Sequence, residues 1–120
     1  MSESRLRTLS MKFAVQILDL VKELKEKRES IISNQIGRSG TSIGANVYEA
    51  KHAQGRKDFI SKLEIALKEA SETEYWLALL HETGYLDDVR YRELNDQCTT
   101  IRVMLVASCR TAKNQEETKR

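Results

Sequence analysis

Gln35-Ile36-Gly37-Arg38-Ser39-Gly40-Thr41-Ser42-Ile43-Gly44-Ala45-Asn46 sets its apolar residues and its glycines at steps of three and four. That period belongs to the α-helix. Gly37, Gly40 and Gly44 share one face. Each glycine costs a helix roughly 0.8–1 kcal/mol relative to alanine, so the three together cost about 2.5–3 kcal/mol. The expected compensation is close approach of a neighbouring backbone, because glycine removes the side chain that would hold it away. Downstream, Lys62-Leu63-Glu64-Ile65-Ala66-Leu67-Lys68-Glu69-Ala70-Ser71-Glu72-Thr73-Glu74-Tyr75-Trp76-Leu77 spells a second helix with a broad apolar face. Helix packed on helix is the fold these two phrases demand.

Composition agrees. The chain has 120 residues and no proline, and its five glycines fall in the cluster above and at Gly55 and Gly84. Proline would break a helix interior, so its absence lets nearly the whole chain be helical. Residues 1–115 are expected to form one domain, with a frayed polar tail over 116–120. Apolar residues are spaced and never continuous over the ~18 positions a membrane span needs. The N-terminus is charged and has no apolar run of the secretory kind. A cytoplasmic protein is expected, with no membrane role. Cys98 and Cys109 fall on one helix, roughly 16 Å apart along its axis, too far to pair; buried free thiols are expected.

Four helices can be drawn. The first spans about Ser4 to Lys27, with Leu6, Phe13, Ile17, Leu20 and Leu24 inward and Leu9, Ala14 and Val21 beside them. The second runs from about Ile31 to Ala53, with Ser30 as its cap and Ile32, Ile36, Ser39, Ile43, Val47 and Ala50 as its core stripe. Gly55 closes it. The third runs from about Lys57 to Thr83 on Phe59, Leu63, Ala66, Ala70, Thr73, Leu77 and Leu80. It carries a second stripe, Ile65, Trp76 and Leu79, which predicts an oligomer interface. Gly84 ends it, with Tyr85-Leu86 folding back. Asp87 or Asp88 caps the fourth, which turns Val89, Leu94, Cys98, Ile101, Leu105, Ser108 and Ala112 inward. Short links make this an all-α, antiparallel up-down-up-down four-helix bundle.

The net charge is only +2, but it is unevenly spread. Residues 1–30 hold seven basic and five acidic residues, and Gln97 to Gln115 holds Arg102, Arg110 and Lys113 with no acid. Two groups are therefore candidate phosphate contacts for RNA or DNA: Lys22, Lys25, Lys27 and Arg28, and Arg102, Arg110 and Lys113.

Candidate chemistry is sparse. Glu49-Ala-Lys-His52 has the Glu-x-x-His spacing of carboxylate-bridged metal bundles, but those need a second such pair and His81 lacks one. Gly37 to Gly44 lacks the Lys-Ser/Thr and the preceding strand of a phosphate loop. A polar stripe, Ser39, Ser42, Asn46 and Glu49, is expected to meet Glu69 and Glu72, with Lys62 or Lys68 nearby, in a network that fixes register. No catalytic residue, metal or cofactor is expected, and no enzyme.

The same phrases carry a resemblance. Gln35-x-x-Arg38-Ser-Gly-Thr-Ser-Ile-Gly-Ala-Asn46-x-x-Glu49, then Asp58-Phe59-Ile-x-Lys62-Leu63, then Lys68-Glu-Ala-x-Glu-Thr-x-x-Trp76-Leu77 resemble the bacterial four helix bundle protein family, over about residues 9–110. That family includes proteins encoded in intervening sequences of large-subunit ribosomal RNA genes. It is similar to the accessory variability determinants of diversity-generating retroelements. One departure is Gly55-Arg56-Lys57, where members often have a Ser or Thr cap. The resemblance implies a ring-shaped homo-oligomer, a pentamer, without catalytic residues. Through the retroelement relatives it also implies nucleic acid and reverse transcriptase as partners. The resulting expectation is a non-enzymatic oligomeric scaffold that binds nucleic acid. Its rival is a self-assembling protein-interaction module with no nucleic-acid role.

Overall fold

The computed structural model describes the backbone of residues 2–118 and the side chains of residues 4–115. Four helices follow in order: α1 Ser2–Glu26, α2 Ile31–Lys51, α3 Arg56–Glu82 and α4 Asp88–Thr118. Each packs on the next, and α4 closes back on α1 along the thinnest of the four seams. Among the described residues the backbones of the diagonal pairs, α1 with α3 and α2 with α4, do not come close, and these helices share only the central core. The result is a square antiparallel bundle of 53 × 23 × 21 Å, with α4 the longest member. The polar tail expected over 116–120 has helical backbone to Thr118; residues 119 and 120, and the side chains from 116 on, lie outside the described residues.

The core follows the apolar periodicity. Leu6, Phe13, Ile17, Leu20 and Leu24 of α1 are buried, as is the whole expected stripe of α2 from Ile32 to Ala50. On α3 the stripe from Leu63 to Leu80 is buried, with Ile60 deeper than the half-buried Phe59 at its start. Across the α2–α3 seam the hydroxyls of Ser39 and Thr73 are hydrogen-bonded at 2.8 Å in full burial. Two core hydroxyls thus satisfy each other, as buried polar groups must.

On α4 two inward assignments are corrected. Val89 is 64% exposed, because it stands five residues before Leu94 and so well off the stripe that Leu94, Cys98 and Ile101 follow, and Cys109 is buried where Ser108 is only half-buried. A helix of 3.6 residues per turn drifts from a strict seven-residue repeat, and over α4 the drift moves the inward position from 108 to 109.

The glycine face packs on α1. A Cβ at Gly40 would stand 2.9 Å from Cγ2 of Ile17, one at Gly37 3.3 Å from Cγ2 of Val21, and one at Gly44 3.4 Å from the carbonyl oxygen of Ser10. The neighbour is therefore backbone at Gly44 alone and branched side chains at the other two.

The turns settle the ends. Between α1 and α2 no glycine is present, and Arg28 takes the left-handed conformation at φ 64°. The cap of α2 is Glu29, not Ser30. Its carboxylate accepts the amides of Ile31, Ile32 and Ser33 at 3.1, 3.0 and 2.7 Å, while Ser30 makes no side-chain cap bond. Ser30 has helix-like dihedrals, which aim its short side chain away, and the longer glutamate reaches the free amides. Gly55, expected to close α2, stands instead immediately before α3 at φ 103°; α2 ends at Lys51 and Asp58 accepts the amide of Gln54. Gly84 ends α3 as expected: Tyr85 donates its amide to the Leu80 carbonyl at 2.9 Å, and Leu86 folds back into the core. Asp87 caps α4 by accepting the amide of Arg90 at 2.8 Å.

Candidate nucleic-acid interface

The last two turns of α1 and the link that follows present Lys22, Lys25, Lys27 and Arg28, all four exposed. None of the four is in an ion pair among the described residues. Lys25 donates to Asn34 Oδ1 at 2.8 Å, which ties the start of α2 to this corner and leaves the charge of the lysine uncancelled. The nearby acids are turned elsewhere. Glu29 is buried against the amides of α2. Glu23 forms a two-pronged bond with Arg90 of α4, and that bond holds its carboxyl below the usual range despite partial burial. Only Glu26 remains as an exposed acid of the corner.

The second group does not make a comparable face. Arg102 donates through Nε to Glu74 at 2.8 Å, and Thr99 donates to the other oxygen of the same carboxylate at 2.7 Å. Lys113 pairs with Glu64 at 2.7 Å, which raises its pKa. Arg110 alone is exposed and without an acid partner among the described residues. The Glu23–Arg90 bond fixes the end of α1 beside the start of α4, so Arg110 lies about 30 Å further along the bundle. The two basic groups occupy opposite ends.

The stripe expected to join protomers is only partly open. Trp76 and Leu79 pack against the core and are half-buried, and Ile65 is 40% exposed. Trp76 donates its indole N–H to Glu72 at 2.9 Å. Arg38 clamps Glu72 and Glu69 from α2, and with Trp76 it holds the Glu72 carboxyl below its ordinary pKa. The network expected on this seam is thus built differently. Ser42 and Asn46 bond back within their own helix, Glu49 pairs with Lys62 at 3.0 Å, and the two glutamates answer Arg38, which sequence reasoning gave no role. Once the register is fixed by Ser39 and Thr73, Arg38 is the cation level with those carboxylates.

Glu49 and His52 do not converge on a metal position: the histidine ring tilts against Tyr48, and no group of three or more His, Cys, Asp or Glu gathers among the described residues. Both cysteines are free and buried, and burial pushes the Cys98 thiol up to about 12 and Cys109 upward as well. Such thiols are poor nucleophiles at neutral pH. No helix among the described residues is long and apolar enough to cross a membrane.

A further surface escaped sequence reasoning. Met11, Val15 and Leu18 of α1 are 66%, 53% and 47% exposed, on the side away from the core. Their steps of four and three were the signal that could have found them.

Comparison with known families matches residues 3–107 to the family described as 23S rRNA-intervening sequence protein. Comparison with curated proteins finds no match. Among solved structures, a protein of unknown function from the S23 ribosomal protein family of Bacteroides thetaiotaomicron is 49% identical. The match covers 92% of this chain and 99% of that one, at a TM-score of 0.90.

Proposed function

The chain belongs to the family of 23S rRNA-intervening sequence proteins, and from that membership we propose a non-enzymatic helical scaffold that binds nucleic acid through the corner between α1 and α2. The observation that carries this reading is the set of four cations at one corner, Lys22, Lys25, Lys27 and Arg28, left without an ion pair while two of the adjoining acids, Glu23 and Glu29, are engaged by Arg90 and by the amides of α2. Unpaired cations attract phosphates without first giving up a partner. Arg102 and Lys113 would have to surrender theirs. Each subunit's attraction is modest, and assembly into a homo-oligomeric ring, the pentamer implied by the resemblance, multiplies it. Action beside a reverse transcriptase belongs to the same proposal.

The test is an anisotropy titration of a fluorescent structured RNA and a matching DNA duplex across a salt series. Affinity is expected to fall steeply with salt. Reversing Lys22, Lys25, Lys27 and Arg28 to Glu should flatten that dependence by about one unit of slope for each phosphate no longer neutralised. Reversing Arg102, Arg110 and Lys113 should do much less. Absence of binding at low salt would sink the proposal.

A second reading, a self-assembling interaction module, draws on the outer face of the α2–α3 seam. Arg38 reaches Glu69 and Glu72, so Ile31, two turns earlier on the same face, is level with Trp76 and Leu79. Ile31 is 77% exposed, and with Ile65 it extends the apolar strip. Sedimentation of an Ile31→Glu, Ile65→Glu variant decides it: an assembly that uses this strip falls apart, and one that does not is unchanged.

A further inference from the structure

On α1, Arg7, Met11, Val15, Leu18, Lys22 and Lys25 lie on one side, opposite the stripe from Leu6 to Leu24. The apolar three stand in the middle and the cations at both ends. Asp19 and Glu26 border this face on one side, one turn beyond Val15 and Lys22 respectively. Beside it runs α2, drawn close where Gly44 meets the backbone of Ser10. Between the two helices opens a groove of about 350 Å3 lined by Met11, Ala14, Gly44, Ala45 and Tyr48. Its charged members are Arg7 and Glu49, and Glu49 is already neutralised by Lys62. The core accounts for none of these exposed apolar residues, and neither does the nucleic-acid reading, which uses only charge.

We propose that this α1–α2 face docks an acidic amphipathic helix of a partner protein. A groove between two helices is shaped for a third, which would be read through apolar anchors at i, i+4 and i+7. From Arg7 to Lys25 the face is about 27 Å long, the length of an 18-residue helix. Its charge pattern selects the partner's: apolar in the middle, carboxylates at both ends. The same pattern disfavours a second copy of this chain laid face to face. Antiparallel pairing would set Arg7 against Lys22 and Lys25, and parallel pairing would set each cation against itself.

The probe is a fluorescein-labelled 18-residue peptide with leucines at i, i+4 and i+7 and glutamates at both ends. Its control carries lysines in place of the glutamates. The acidic peptide is expected to bind at least about tenfold tighter than the basic one. Met11→Glu with Leu18→Glu should abolish that binding while leaving the far-ultraviolet circular dichroism unchanged. Arg7→Glu with Lys22→Glu should reverse the preference between the peptides, a gain that a misfolded variant cannot mimic. Four results would overturn the proposal. The two peptides bind alike, or acidic-peptide binding survives Met11→Glu with Leu18→Glu. In sedimentation the wild type self-associates and that variant is monomeric, which makes a second copy the occupant. The variant loses RNA rather than peptide, which gives the stripe to the nucleic-acid face.

Discussion

Ser33 donates its amide to the carboxylate of Glu29 at 2.7 Å and its hydroxyl to the carbonyl of Glu29 at 2.8 Å, so Glu29 holds the entry to α2 through both its side chain and its backbone. The same carboxylate also takes the amides of Ile31 and Ile32, with Glu29 itself buried. Negative charge at a helix N-terminus also meets the positive end of the dipole. Glu29→Ala is therefore expected to cost about 2 kcal/mol by urea unfolding, the upper range for removal of a cap. Ser30→Ala should cost close to nothing. Equal losses at the two positions would show that the cap assignment is wrong.

Arg28 sets a second test at the same turn. A non-glycine residue in the left-handed region costs roughly 1–2 kcal/mol, and here an arginine bears it at φ 64°. Arg28→Gly is expected to raise stability by about 1 kcal/mol while weakening RNA binding in the titration above. A glycine variant that unfolds more easily would mean that the arginine side chain supports the fold beyond the turn.

The glycine face separates space from propensity. At Gly40 an added methyl meets Ile17 at 2.9 Å, whereas at Gly44 it reaches ordinary contact with the Ser10 carbonyl at 3.4 Å. Alanine gains roughly 1 kcal/mol of helix propensity at either site, but at Gly40 overpacking costs about 1–3 kcal/mol. Gly44→Ala is expected to be neutral or stabilising and Gly40→Ala destabilising, as thermal melts of the pair will show. The opposite ranking would contradict the packing of α1 on α2.

Acid should weaken the bundle through named carboxylates. Arg90 holds Glu23 low, Trp76 and then Arg38 hold Glu72 low, and His81 holds Asp88 low. A lowered folded pKa gives stability that is complete above the unfolded value, 4.5 for glutamate, and lost as pH falls through the folded value. The melting temperature is thus expected to drop below about pH 4.5. The fall should be shallower in Glu23→Gln. The effect is modest, because Glu23 is half exposed and water screens its bond. Identical acid slopes in the two proteins would remove Glu23 from the account.

Sequence reasoning located all four helices, the core of α1 and α2, the stop at Gly84 and an aspartate cap at 87 or 88, because each rests on spacing or on the chemistry of a single residue. It missed what depends on register. Whether Arg102 is a free cation or the partner of Glu74 follows from how α4 slides on α3, and no local pattern in Gln97 to Gln115 records that. The boundary after α1 was placed to within a residue, but its turn was not legible, because an arginine there occupies the conformation that glycine usually marks. Val89 was assigned inward for its apolar side chain, although five residues separate it from Leu94 and set it off the stripe.

The seam between α1 and α4 joins the two ends of the chain, and it is the most sparsely packed of the four. Gln16, two turns before Glu23 and on its side of α1, leaves its side-chain oxygen buried there with no partner among the described residues. Closing the longest loop on the least packing makes this the last seam to form and the first to open. Native-state hydrogen exchange should then rank the helices, with α2 and α3 protected longest and α1 and the far half of α4 released earlier. Equal protection in all four would mean a bundle that opens as one body. An order of protection would mean that the square of helices has a front edge in time, at the seam between its first helix and its last.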